Sequence, residues 1–183
     1  FDAGWKRWRA NKLNNFFRRL KDSVKVRGEH YLISAAPSVY PWGYDNYLQD
    51  SKTWVDSGIV ENIIPQLYRY DYPSYANELN NAYNLIPADK KHIFFSGMLA
   101  KAGSYVIPPS YLIQAMNLNR NKGLKGECFF FYEGLTANSN QNGDTLKSLY
   151  YSQPAKLPYR NGNVFRPKAE IIDEGDSINT AKS

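Results

Sequence analysis

The chain has 183 residues, enough for one domain with a real core. Its 43% hydrophobic and 22% charged residues are the balance of a globular domain, not of a disordered chain, and no apolar run is long enough to span a membrane. The net charge of +6 sits partly in the opening segment, from Lys6 to Arg27, on the polar side of an amphipathic helix. That reads as a solvated helix face, with binding of an anionic polymer such as a cell-wall polymer as the alternative, and no nucleic-acid motif accompanies it.

Taken in chain order, residues 5–26 predict a helix, with Leu13, Phe16, Phe17, Leu20 and Val24 on one face and Gly28 as its stop. The apolar run 31–37 predicts a short strand buried on both faces. After a Pro/Trp/Gly loop comes a helix near 46–56, with Asp45 as N-cap and Gly58 as stop. A second strand is expected over 59–67 and a helix over 73–86, where Tyr75, Leu79, Tyr83 and Ile86 share a face. Residues 92–99 predict the third strand and 109–121 the next helix, stopped by Gly123. The run 127–132 predicts the fourth strand, and a short helix is expected over 144–152. Pro154, Pro158 and Pro167 then mark an extended linker, and 169–176 reads as the start of a further strand.

Strand starts near 31, 59, 92 and 127 are spaced by about one βα unit. Buried strands alternating with helices argue for a parallel sheet covered by helices. Four such units fit half of an eight-stranded barrel or a small doubly wound sheet; no glycine-rich phosphate loop follows the first strand, which weighs against a nucleotide-binding sheet. The single cysteine, Cys128, lies in an apolar run and reads as a buried structural thiol. His30 and His92 stand far apart, and no cluster has metal-ligand spacing, so neither metal nor cofactor is expected. The chain opens on Phe1 and ends in a polar segment, which reads as a piece cut from a longer protein.

Sites in such folds form at the carboxyl ends of the strands. That rule selects Ser38, Tyr40 and Trp42 after the first strand, and Gln66, Tyr68, Tyr70 and Asp71 after the second. It selects Lys101 after the third, and Tyr132 and Glu133 after the fourth. Flat aromatic faces beside amides and hydroxyls are what a sugar-binding cleft needs, although loop tyrosines also serve merely to cover a barrel top. Gln66 would reach into the cleft or bond a neighbouring loop. Glu133, after four aromatics, would be a carboxyl of raised pKa serving as general acid, or else pair with an arginine or cap the next loop. Asp71 would cap the next helix or point into the cleft. Glycoside hydrolysis needs two carboxyls, so a second acid is expected from elsewhere in the parent chain.

Several segments carry a family resemblance. Trp8-Arg9 with Asn14, then Ile33-Ser34-Ala35-Ala36-Pro37, resemble an opening helix and strand of the glycosyl hydrolase-like 10 family. Tyr44-Asp45-Asn46-Tyr47-Leu48-Gln49-Asp50 with Trp54-Val55 and Gly58 is similar to its next helix. Ile63-Ile64-Pro65-Gln66-Leu67-Tyr68 is the most specific match, and Phe129–Leu135 resembles its last strand. Arg69 departs from the tryptophan the pattern carries there, and the family's acidic strand is absent. The resemblance implies that residues 1–158 are the C-terminal half of a (β/α)8 TIM barrel and that 159–183 lead into a further, golvesin-type β-domain. It implies a secreted or cell-envelope glycosidase acting on O-glycosidic bonds of a peptidoglycan strand or another polysaccharide, with the remainder of the barrel as partner. Glu133 and, more weakly, Asp71 would be its catalytic carboxyls here. The rival expectation is a non-catalytic carbohydrate-binding barrel.

Overall fold

The computed structural model describes residues 2–154 and the backbone of Ala169–Ile171 and Ile178–Thr180. The first helix, α1, runs Ala3–Lys25, with the Asp2 carboxylate accepting from the Gly4 N–H at 2.7 Å. Its inner face carries Ala10, Leu13, Asn14, Phe17 and Val24 against the core. Phe16 and Leu20, expected on that face, are instead exposed, as are Trp5 and Trp8. The helix therefore has a second, uncovered apolar stripe.

Next come β1 (Ser34–Ala35), α2 (Trp42–Tyr47), α3 (Ser51–Asp56), β2 (Asn62–Ile63) and α4 (Tyr72–Asn84). A 3-10 turn over Ala88–Ile93 leads into β3 (Ser96–Leu99). A small antiparallel hairpin follows, β4 (Lys101–Ala102) with β5 (Tyr105–Val106), then α5 (Pro109–Asn121), β6 (Glu127–Phe130) and α6 (Glu133–Leu149). The backbone pair β7 (Ala169–Ile171) and β8 (Ile178–Thr180) is antiparallel. The expected linker and the rest of the expected β-domain start fall on 155–168 and 172–177, outside the described residues.

β1 pairs with β2, and β3 with β6, both in parallel. Parallel bridges from Ile63 to Phe94 and from Gln66 to Gly97 join the second segment to the third. Spatial order thus follows chain order in an α/β arrangement. Side chains alternate across these strands. Ile33, Ile63, Leu67, Phe94 and Met98 face the helices, in one cluster with Trp54, Leu79, Leu112 and Met116. Each such side chain, fully buried, contributes about 1.5–3 kcal/mol. The alternate positions Ser34, Ala36, Cys128 and Phe130 are exposed. Helices cover one face of the sheet; the other is open at the first and fourth strands, while β3 is buried throughout.

Several expectations are corrected. The first and fourth strands are covered on one face, not two. For the same reason Cys128 is exposed rather than a buried thiol. The single helix near 46–56 is two short ones, because Leu48 turns left-handed (φ +62°) and ends α2. Asp45 lies inside α2 and caps nothing; its carboxylate pairs with Lys6 at 2.9 Å. The span called α6 is two helices, divided where Ala137–Asn140 leave helical geometry with left-handed φ at Asn138, Ser139 and Asn140. The second is the short helix expected near 144–152, beginning a few residues earlier, and the first, from Glu133, is additional. Tyr132 is its N-cap rather than a strand residue. The β4–β5 hairpin was not foreseen; it turns at Gly103, whose φ of +55° suits glycine.

Two polar clusters lock this frame. In the first, the Trp54 indole donates to Asn14 Oδ1 at 2.6 Å, and Asn14 Nδ2 donates to Asp50 at 3.1 Å. Arg7 completes it with an ion pair to Asp50. The resemblance-bearing Asn14, Asp50 and Trp54 are thus structural, tying α1 to α3. In the second, the Tyr75 hydroxyl donates to Asn119 at 2.6 Å and shares a hydrogen bond with Ser96. Asn119 and Arg120 both donate to Glu127, whose side chain is fully buried, and Tyr151 donates to it as well.

Candidate functional site

The carboxyl ends of β1 and the second segment open onto a cleft of about 930 Å³. One wall is the loop after β1, with Ser38, Tyr40, Trp42 and Tyr47. The floor comes from Gln66, Tyr68 and Arg69. The other wall is α4, where Glu78, Asn81 and Leu85 fall at helical spacing on one face, with Asn84 beside them.

Local geometry explains these placements. The alternation that buries Leu67 against the helices turns Gln66 and Tyr68 toward the open side. Gln66 is pinned twice to β1's end: its backbone N–H donates to Pro37 O at 2.9 Å, and its Nε2 to Ala36 O at 2.8 Å. Its amide therefore bonds a neighbouring segment while its flank lines the cleft. Tyr68 stacks on Phe130 at 5.1 Å; burial, then the neighbouring Cys128, pushes its phenol up. Trp42 and Tyr47 meet edge to face at 5.0 Å and are half exposed, presenting aromatic surface to solvent. Arg69 is held between Tyr68 O (2.9 Å) and the Glu78 carboxylate (2.5 Å).

Five of the expected site residues, Ser38, Tyr40, Trp42, Gln66 and Tyr68, meet in this cleft. The other five lie outside its lining. Tyr70 packs edge to face on Tyr105 at 4.9 Å, and burial, then Asp71 and Tyr70, pushes the Tyr105 phenol up to about 12. Asp71 caps α4, accepting from the backbone N–H and the hydroxyl of Ser74, each at 2.9 Å. Lys101 Nζ donates to Gly103 O and braces the hairpin. Tyr132 and Glu133 are exposed at the start of α6, so the apolar enclosure expected around Glu133 is absent.

Tyr47, Glu78, Asn81, Asn84 and Leu85 were missed. The α4 residues carried a signal, since 78, 81 and 85 share a helix face flanking the one read as core. Among the described residues, no group of three His, Cys, Asp or Glu side chains is placed to hold a metal ion. No helix among them is long and apolar enough to cross a membrane.

Parallel strands in chain order, helices on one face and a strand-end cleft define a class of α/β proteins whose sites sit at that edge. Within it, the chain belongs to the glycosyl hydrolase-like 10 family, whose model matches residues 1–110. It is also similar to glycosyl hydrolase YngK of Bacillus subtilis (strain 168), at 23% identity over 82% of this chain and 34% of that protein. The chain thus spans about a third of the length of that relative. No solved structure matches it. Family membership makes this a glycoside hydrolase-related protein.

Proposed function

We propose that the chain is the C-terminal half of a (β/α)8 barrel and supplies part of the glycan-binding cleft of a glycosidase. The observation that carries this is the convergence of Trp42, Gln66 and Tyr68 in one cleft at the strand ends. Sequential parallel order with helices on one face is the arrangement of a closed barrel; a doubly wound sheet has helices on both faces. The uncovered surfaces suit the same reading. The open sheet face, with Ala36 and Phe130, would become the barrel interior. The second stripe of α1, with Trp5, Trp8 and Phe16, would meet the preceding helix of the ring. The greater length of the relative leaves room for that half.

In this reading the parent is a secreted or cell-envelope enzyme hydrolysing O-glycosidic bonds of a polysaccharide. Trp42 and Tyr68 seat a pyranose ring, and Glu133, at the rim after β6, works as acid/base with a carboxyl from the other half. The test is turnover by the longer parent chain with Glu133→Gln. The expected result is lost hydrolysis with retained binding; unchanged turnover removes Glu133 from the mechanism. A second reading, a non-catalytic glycan-binding barrel, is favoured by one observation. Among the described lining residues the cleft's only carboxylate is Glu78, already paired with Arg69. Binding without any turnover by the parent would decide for it.

A further inference from the structure

We infer that the cleft selects uncharged glycans over those bearing carboxylates, and that the Arg69–Glu78 pair sets this selectivity; the inference rests on the glycan reading above.

The starting point is charge placement. The chain carries a net +6, yet among the described residues lining the cleft Arg69 is the only cation and Glu78 the only anion. The two form an ion pair at 2.5 Å, so together they add no net charge. The guanidinium is also committed on its other arm, with Nη1 donating to Tyr68 O at 2.9 Å. A carboxylate seated here would find no uncommitted cation in the lining and would have to displace Glu78 from Arg69 to gain one. Breaking an existing ion pair to make another acts against the charged ligand, whereas a neutral glycan leaves the pair intact.

The rest of the polar lining suits a neutral polyol. Asn81 and Asn84 offer amides that both donate and accept, and tyrosine hydroxyls do the same. Sugar hydroxyls need that two-way pairing; a carboxylate needs donors alone. No hydrogen bond among the described residues takes up the Asn81 or Asn84 side chain, and both residues are exposed along the α4 wall. The other described cations lie outside this lining, many of them on α1.

The experiment is a calorimetric titration of the full chain with a neutral chitooligosaccharide and with an oligogalacturonate of matched length, before and after Glu78→Gln. Wild type is expected to bind the neutral oligomer at least about tenfold more tightly, the size of effect one misplaced charge produces. E78Q releases Arg69 to meet a ligand carboxylate, so the ratio of the two affinities is expected to move about tenfold toward the acidic oligomer. Preference of the wild type for the acidic oligomer overturns the selectivity and leaves glycan binding standing. Binding of neither overturns the glycan reading and the selectivity with it. An unmoved ratio in folded E78Q overturns the role of the pair, and if E78Q does not fold, the wild-type ratio still decides the selectivity.

Discussion

The ring of Tyr68 lies 5.1 Å from that of Phe130, nearly parallel to it at 15°. These residues close the second and fourth strand segments, and a third segment stands between them. Their contact is possible only if those segments run the same way and release their side chains at the same edge. The cleft depends on that common direction.

The join between the second and third segments is made by bridges alone, and at Gly97 there is no room between the backbones for a side chain. A Cβ at Gly97 would lie 2.5 Å from Pro65 O. Gly97→Ala is therefore expected to push the segments apart and to destabilise the chain by about 1–3 kcal/mol, the usual cost of overpacking. Urea unfolding checks this; an unchanged midpoint would mean that the bridge contributes nothing.

Asn14 should matter more than its surroundings on a long polar helix suggest. It is 1% exposed and serves both the Trp54 indole and Asp50. Asn14→Ala leaves the buried Trp54 indole unpaired, at about 1–3 kcal/mol, and removes one of the hydrogen bonds to Asp50. Thermal unfolding of this variant beside Asn15→Ala, an exposed neighbour, is expected to show a loss for the first and little change for the second.

Asp50 gives the chain an acid limb. Burial alone would raise its carboxyl, but hydrogen bonds from Thr53, Asn14 and Arg7, with the Arg7 charge, outweigh burial and hold it below the ordinary 3.8. The unfolded chain then takes up this proton more readily than the folded one. Stability from Asp50 is full above 3.8 and is lost as pH falls through the lowered folded value. Wild type should accordingly lose more stability than Asp50→Asn between neutral pH and about pH 3. Equal losses would contradict the assignment.

Much of this was legible in the sequence, for reasons specific to each segment. Buried runs such as Ile63–Leu67 announce strands, and Pro109 with Gly123 brackets α5 as expected. Asp71 as a cap was readable because Pro and Ser follow it at first-turn spacing. The open sheet face was not readable, because an apolar strand looks alike whether one or two layers cover it; Cys128 was misread on that account. The α4 wall was hidden because Glu78, Asn81 and Asn84 look like any solvated helix face. The breaks at Leu48 and Asn138 depend on left-handed backbone that no local pattern declares.

Cys128 also reports on barrel closure. Its exposed thiol is expected to react with a maleimide in the native chain without denaturant. In the longer parent, where the proposed second half covers this face, labelling should slow sharply. Equal rates in both would argue against closure over the open face.

The most direct test of the central claim is a crystal structure of the chain bound to a neutral oligosaccharide. The account predicts a sugar ring against Trp42 or Tyr68, with Gln66 at the edge of the same cleft. A ring bound at another surface, with the strand-end cleft empty, would contradict it.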